Sequence, residues 1–217
     1  MLKGHEGMSM ADPISPAELA KIQADKLESE FNHHLAGYFV LMAGVFSLAE
    51  GKLKQHWPIT RFAWPACFLL SGIFVLTWSD TELWPFGQHR WLQTMAADHE
   101  VLQHKVFAVI LLGLAVVEIC RARGVLQTTW SAWIFPVLAS MGAALLLFHS
   151  HRAGMLGPDH MERMARIQSE HFSYAIAGFA IAIAKGLSET PMKWRPSLKL
   201  CPALMVVLGA MLIVYVE

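Results

Sequence analysis

The chain has 217 residues, of which 55% are hydrophobic and only 16% charged, with seventeen basic and seventeen acidic side chains and no net charge. Its mean hydropathy is +0.41. That is too apolar for an ordinary soluble domain, and the charge balance excludes the basic surface of a nucleic-acid-binding protein.

Residues 1–31 are polar and hold no apolar core of a cleavable signal peptide, so the first apolar block is expected to act as the insertion signal. Ser15-Pro16-Ala17-Glu18 has the form of a capping box with proline at the first helical position, which predicts a helix over 16–31 on the outer surface. Six apolar blocks follow, at 34–50, 62–78, 104–120, 130–149, 171–185 and 200–216. Crossing a bilayer takes about 20 residues, so several blocks reach that length only if their polar flanks continue the helix. Trp84-Pro85-Phe86-Gly87 breaks the longest connection, and Gly157-Pro158 interrupts another. The stretch 159–168 reads as a helix running on into the fifth block. The expected fold is therefore an all-α integral membrane protein, a six-transmembrane-helix bundle with both termini on one side. It divides into a polar N-terminal tail over 1–31 and a six-span domain over 32–217.

Charge assigns the sides. The tail, the second and fourth connections and the C-terminus carry eight Lys/Arg against fourteen Asp/Glu, a net of −6. The first, third and fifth connections carry nine Lys/Arg against three Glu, a net of +6, packed into short loops beside the spans. Positive loops stay in the cytoplasm, which places both termini outside, on the periplasmic face of a bacterial inner (plasma) membrane. Of eleven histidines only His56 falls on the basic side; His5, His33, His34, His89, His99, His104, His149, His151, His160 and His171 gather at the acidic face.

That one-sided distribution is the strongest functional signal. Polar groups at membrane depth are costly and usually face a bundle interior or a cavity. Imidazole suits copper, zinc and iron, and thioether sulfur favours Cu(I). Met155, Met161 and Met164 lie close in sequence to His151, His160 and His171, as do Met8 and Met10 to His5. The first, third and fifth blocks each open on a histidine (His34, His104, His171), as three similar hairpins would. His149 and His151 sit about 200° apart on a helix, so they share one ion only if the helix unwinds there. If it stays helical, His149 is the inward one. Cys67, Cys120 and Cys201 have no paired spacing and read as small buried residues. No GxGxxG, Walker, HExxH or GxSxG motif occurs, so an enzyme is not expected.

His33-His34, Trp84-Pro85, Glu100-Val101-Leu102-Gln103-His104, Phe148-His149-Ser150-His151 and Ser169-Glu170-His171 together resemble the membrane domain of the copper-resistance protein D type, over most of 33–217. The resemblance implies a polytopic inner-membrane protein of copper import or periplasmic copper handling, with His34, His104, His149, His151 and His171 as metal ligands. The chain departs from that pattern where a periplasmic β-domain would stand: a polar helix and a Met/His-containing tail occupy its place. The expected partners are the bilayer, copper, and a periplasmic copper carrier or larger membrane complex, with no nucleic acid. Two alternatives stand beside it: a b-type cytochrome with haem on His34, His104 and His171, and an accessory subunit of a larger membrane complex.

Overall fold

The computed structural model describes residues 15–83, 85–149, 160–190 and 196–216, with the side chain of His160 left out. The regular structure of the described residues is helical, apart from an isolated bridge between Leu83 and His89. Among the described residues there are seven α-helices: α1 Pro16–Leu53, α2 Ala63–Trp78, α3 Trp91–Ala97, α4 His99–Ala122, α5 Ile134–Leu146, α6 His160–Glu189 and α7 Ser197–Ile213. Short 3-10 turns, Pro58–Phe62 and Thr129–Trp133, lead into α2 and α5.

The capping box forms as its sequence requires. The Glu18 N–H donates to Ser15 Oγ, and the Ser15 N–H donates to the Glu18 carboxylate. The helix it starts does not end near residue 31. Nothing between Phe31 and His34 breaks it, so the surface helix and the first apolar block form one helix of 38 residues. The 159–168 stretch behaves alike, and α6 runs without a break from His160 through the fifth block. α4 starts where Asp98 accepts a hydrogen bond from the Glu100 N–H. α5 stops at Leu146, so the regular helix has ended before His149.

Three helical segments, Pro16–Leu53, Pro58–Trp78 and Thr129–Leu146, are long and apolar enough to cross a membrane; Ser197–Ile213 is apolar but shorter. α4 and α6 have apolar centres bounded by charged residues. The six long helices pack as a closed ring in the order α1, α2, α4, α5, α6, α7, and α7 returns to α1 along the most extensive contact in the molecule. Glycine makes that contact close. A Cβ at Gly37 would lie 2.8 Å from the Gly209 carbonyl, and one at Gly44 would lie 2.6 Å from the Pro202 carbonyl. Small residues let backbones approach to dispersion distance, the usual means of joining helices where no hydrophobic force drives them together. The core around this seam includes Val40, Ala43, Phe68, Leu114, Phe135 and Met205.

Gly37→Leu is expected to cost about 1–3 kcal/mol through overpacking and to lower the thermal unfolding midpoint in detergent. Gly51, on the same helix with nothing within 4 Å of its Cβ position, is the control; Gly51→Ala should leave the midpoint unchanged or raise it.

Candidate functional site

One end of the ring collects histidines. His104 enters from the first turns of α4, His149 from the turn after α5, and His171 from α6, where it is 1% exposed. Ring centroids are 5.3 Å apart for His104–His149 and 4.9 Å for His149–His171. His33 continues the row, 5.8 Å from His171 and stacked at 4.0 Å on Tyr215.

The expected ligand set is thus only partly assembled. His104, His149 and His171 come together. His34 does not join them: its Nε2 donates to the Tyr215 carbonyl at 2.8 Å, tying α1 to the end of α7. Consecutive helical residues point about 100° apart. Residues 33, 36 and 40 face the bundle interior, whereas Gly37 and Gly44, spaced from 34 by helical turns, face α7. That spacing was the available signal that His33 is the inward neighbour. His151 lies outside the described residues, as do Met8, Met10, Met155, Trp84 and Gly157-Pro158. Met161 is largely exposed and Met164 half-buried.

Acceptors behind the rings hold them in place: Asp80 lies in none of the motifs, and Gln103 lies inside the Glu100–His104 run without having been given a role. His104 Nδ1 donates to Asp80 Oδ1 at 2.9 Å, and His149 Nδ1 donates to Gln103 Oε1 at 2.7 Å. Gln103 is itself oriented, donating through Nε2 to the Phe148 carbonyl. His33 Nδ1 donates to the Ser29 carbonyl. With Nδ1 carrying the proton, Nε2 carries the lone pair in all three rings, and an acceptor behind the ring is the usual support of a ligating histidine. Asp80 also accepts from Lys105 Nζ at 2.7 Å and Ser79 Oγ at 2.6 Å. Burial pushes the Asp80 carboxyl up, but the hydrogen bonds from His104, Lys105 and Ser79 outweigh it and hold the group below the usual carboxylate range. As the side chains stand, no group of three or more His, Cys, Asp or Glu residues among those described is gathered so that it could hold a metal ion.

A cavity of about 230 Å³ runs from this end into the ring, lined by every long helix, with Val40, Phe68, Ile110, Ala139, Ile181 and Leu208 as one contribution from each. Its polar groups sit chiefly at the histidine end: Asn32, His33, Ser79, His104 and His149.

The opposite end of the ring is closed by ions. Arg121 forks onto Glu189 at 2.9 and 2.8 Å and reaches Glu118 at 3.1 Å; Lys185 reaches Glu189 at 3.0 Å and Glu118 at 3.6 Å. Trp64 Nε1 donates to Glu50. Glu50, Glu118 and Glu189 are the three acidic residues of the otherwise basic side, and all three are occupied internally. Burial raises the Glu189 carboxyl, but the Arg121 and Lys185 bonds outweigh it and set the group below its usual range.

No family model, curated protein or solved structure matches this chain.

Asp80→Asn removes the charge partner of buried Lys105 and should cost about 3–5 kcal/mol of stability, read as a lowered unfolding midpoint in detergent. At the opposite end, a carboxyl with a depressed folded value contributes stability that is complete above its unfolded value of about 4.3. The contribution disappears as pH falls through the lower folded value. Glu189→Gln should therefore flatten the acid-side loss of thermal midpoint below about pH 4, while lowering the midpoint itself at pH 7.

Proposed function

We propose that this chain is a multi-pass membrane protein that binds copper at the outer end of its bundle, serving copper transport or periplasmic copper homeostasis in a bacterial plasma membrane. The carrying observation is the row His104–His149–His171, drawn from α4, the turn after α5 and α6, with the first two rings backed at Nδ1 by Asp80 and Gln103. A metal–imidazole bond of about 2.0–2.1 Å puts two ring centres on one tetrahedral ion roughly 5.2 Å apart. The observed 4.9 and 5.3 Å match that value. Two axial imidazoles on opposite faces of a haem would stand roughly 6.4 Å apart on the same bond length, so the spacing favours a bare ion over haem b. His151 is the expected further ligand. Copper is the ion favoured by the resemblance to the copper-resistance protein D type and by imidazole chemistry.

Six spans with both termini outside are part of this reading. Val45, Leu70, Val109, Val137, Ile183 and Val207, one from each helix of the ring, are all exposed, as side chains facing lipid would be. The charges of α4 and α6 are met by partners inside the bundle or near its ends, where they are tolerated. The Glu50, Glu118 and Glu189 pairings leave the basic loops to act as the cytoplasmic signal.

The test is metal content. Protein purified in detergent and loaded with copper should carry a stoichiometric ion that survives His34→Ala and is lost in His149→Ala/His171→Ala. Equal copper in the wild type and the double variant would sink the assignment. A reduced-minus-oxidised spectrum should lack a haem band, and a strong one would replace copper with a cytochrome.

A further inference from the structure

Packed interiors seldom leave a void larger than a water molecule, yet this ring holds a cavity of about 230 Å³. Its length follows from the residues that line it. On α4 the lining runs from His104 to Leu114, and on α2 from Phe68 to Ser79, a rise of about 15 Å along each helix. The hydrocarbon core of a bilayer is about 30 Å thick, so one leaflet contributes about 15 Å. The cavity is as long as one leaflet is deep.

Its width follows from its volume. A dry cavity of about 150 Å³ takes one benzene, so on the same scale this one holds about nine carbon atoms. Nine carbons spread over that length stand in single file, which excludes a fused ring system or two chains side by side. Below the polar mouth the wall is aliphatic and aromatic, and Ser71 Oγ has almost no accessible surface there. Water finds too few partners in such a space, and leaving it empty forfeits the dispersion contacts of the wall. What fits is one flexible, unbranched hydrocarbon chain.

A chain needs a way in. Among neighbours in the ring, α4 and α5 make the least extensive contact. Gly142 stands at this seam: a Cβ added there would meet Ile110 at 3.8 Å and Phe107 at 3.9 Å, ordinary contact distances. Phe107 and Leu111 on α4 and Ala139 and Gly142 on α5 line the cavity and are only half-buried, so the weakest seam is also cavity wall. On the same two helices Val109, Val116, Val137 and Met141 are exposed, as lipid-facing side chains are. The far end is closed. Phe68 and Phe135 pack edge to face with Trp64 against both, and Lys185 of the ion network lies 5.5 Å over the Phe135 ring.

We propose that the cavity holds one acyl chain of a bilayer phospholipid, admitted sideways between α4 and α5. Phospholipid is the source because the seam faces the bilayer, where the chains on offer belong to phospholipids. The proposal rests on the bundle spanning a membrane and does not require copper.

The experiment reconstitutes the full chain in phosphatidylcholine vesicles doped with a phosphatidylcholine that carries a diazirine at the end of one palmitoyl chain. Irradiation and peptide mass spectrometry then map the labelled residues. Labelling of Phe68, Leu114 or Ile181, all buried and on the inner wall, is expected beside labelling of exposed Val109 and Val137. Gly142→Leu displaces about two methylenes of the chain and should lower the inner labelling roughly tenfold, with the outer labelling unchanged. Ala139→Leu should act alike, which keeps the test sound if the first variant folds poorly. Outer labelling without inner labelling, or inner labelling that both variants leave unchanged, would overturn the proposal and leave the membrane reading intact. Labelling at neither place would overturn both. Inner labelling by a diazirine-bearing palmitic acid but not by the phospholipid would overturn it in favour of a free fatty acid.

Discussion

The arrangement at the histidine end depends on one buried carboxylate. Asp80 follows the last turn of α2 and is 8% exposed, so its charge has to be met locally. Three donors meet it: Lys105, His104 and Ser79. Because Lys105 and His104 are neighbours on α4, the pairing fixes how α4 lies against α2 and which way the His104 ring faces. Lys105 Nζ also donates to the Leu76 carbonyl, so the same cation satisfies the free end of α2. Uncharged packing could join these helices as firmly, but it would not choose the tautomer of His104.

The rest of the bundle divides between two kinds of contact. The α1–α7 seam is made by glycine, and the approach there is close enough that a methyl group would meet backbone. Across the ring, α5 and α6 bring small residues to the cavity wall. Both patterns use small side chains, and the difference lies in what stands opposite. At Gly37 it is the Gly209 backbone; at Gly142 it is the Ile110 and Phe107 side chains at ordinary contact distance. The ends of the ring are polar in contrasting ways. One carries imidazoles held at Nδ1 by Ser29, Asp80 and Gln103. The other carries Arg121, Lys185, Glu118 and Glu189, which satisfy one another and close it.

The row of rings and the cavity beside it differ in character. The rings are polar, and the space is lined mainly by phenylalanine and aliphatic side chains.

Apolar blocks and charge were enough to determine that the chain is helical and where its long helices lie. Hydrophobic length and the sorting of charge are local properties of a chain, and tertiary contacts do not alter them. The Ser15–Glu18 cap and the continuity of α6 were legible for the same reason, whereas the fourth block was expected to run to 149 and the regular helix ends at Leu146. What tertiary structure alone decided is which groups meet. His33 and His34 look alike in sequence, and only the position of α7 directs one to the Tyr215 carbonyl and the other to the interior. Asp80 lies in no motif, and the Glu100–His104 motif gives Gln103 no role; they matter because α2, α4 and the turn after α5 converge there. Glu118 on α4 and Glu189 on α6, 71 residues apart, become one ion network only when those helices are brought side by side. The cavity too was invisible in the composition, since Gly142 reads as any other glycine until five further helices are placed around it.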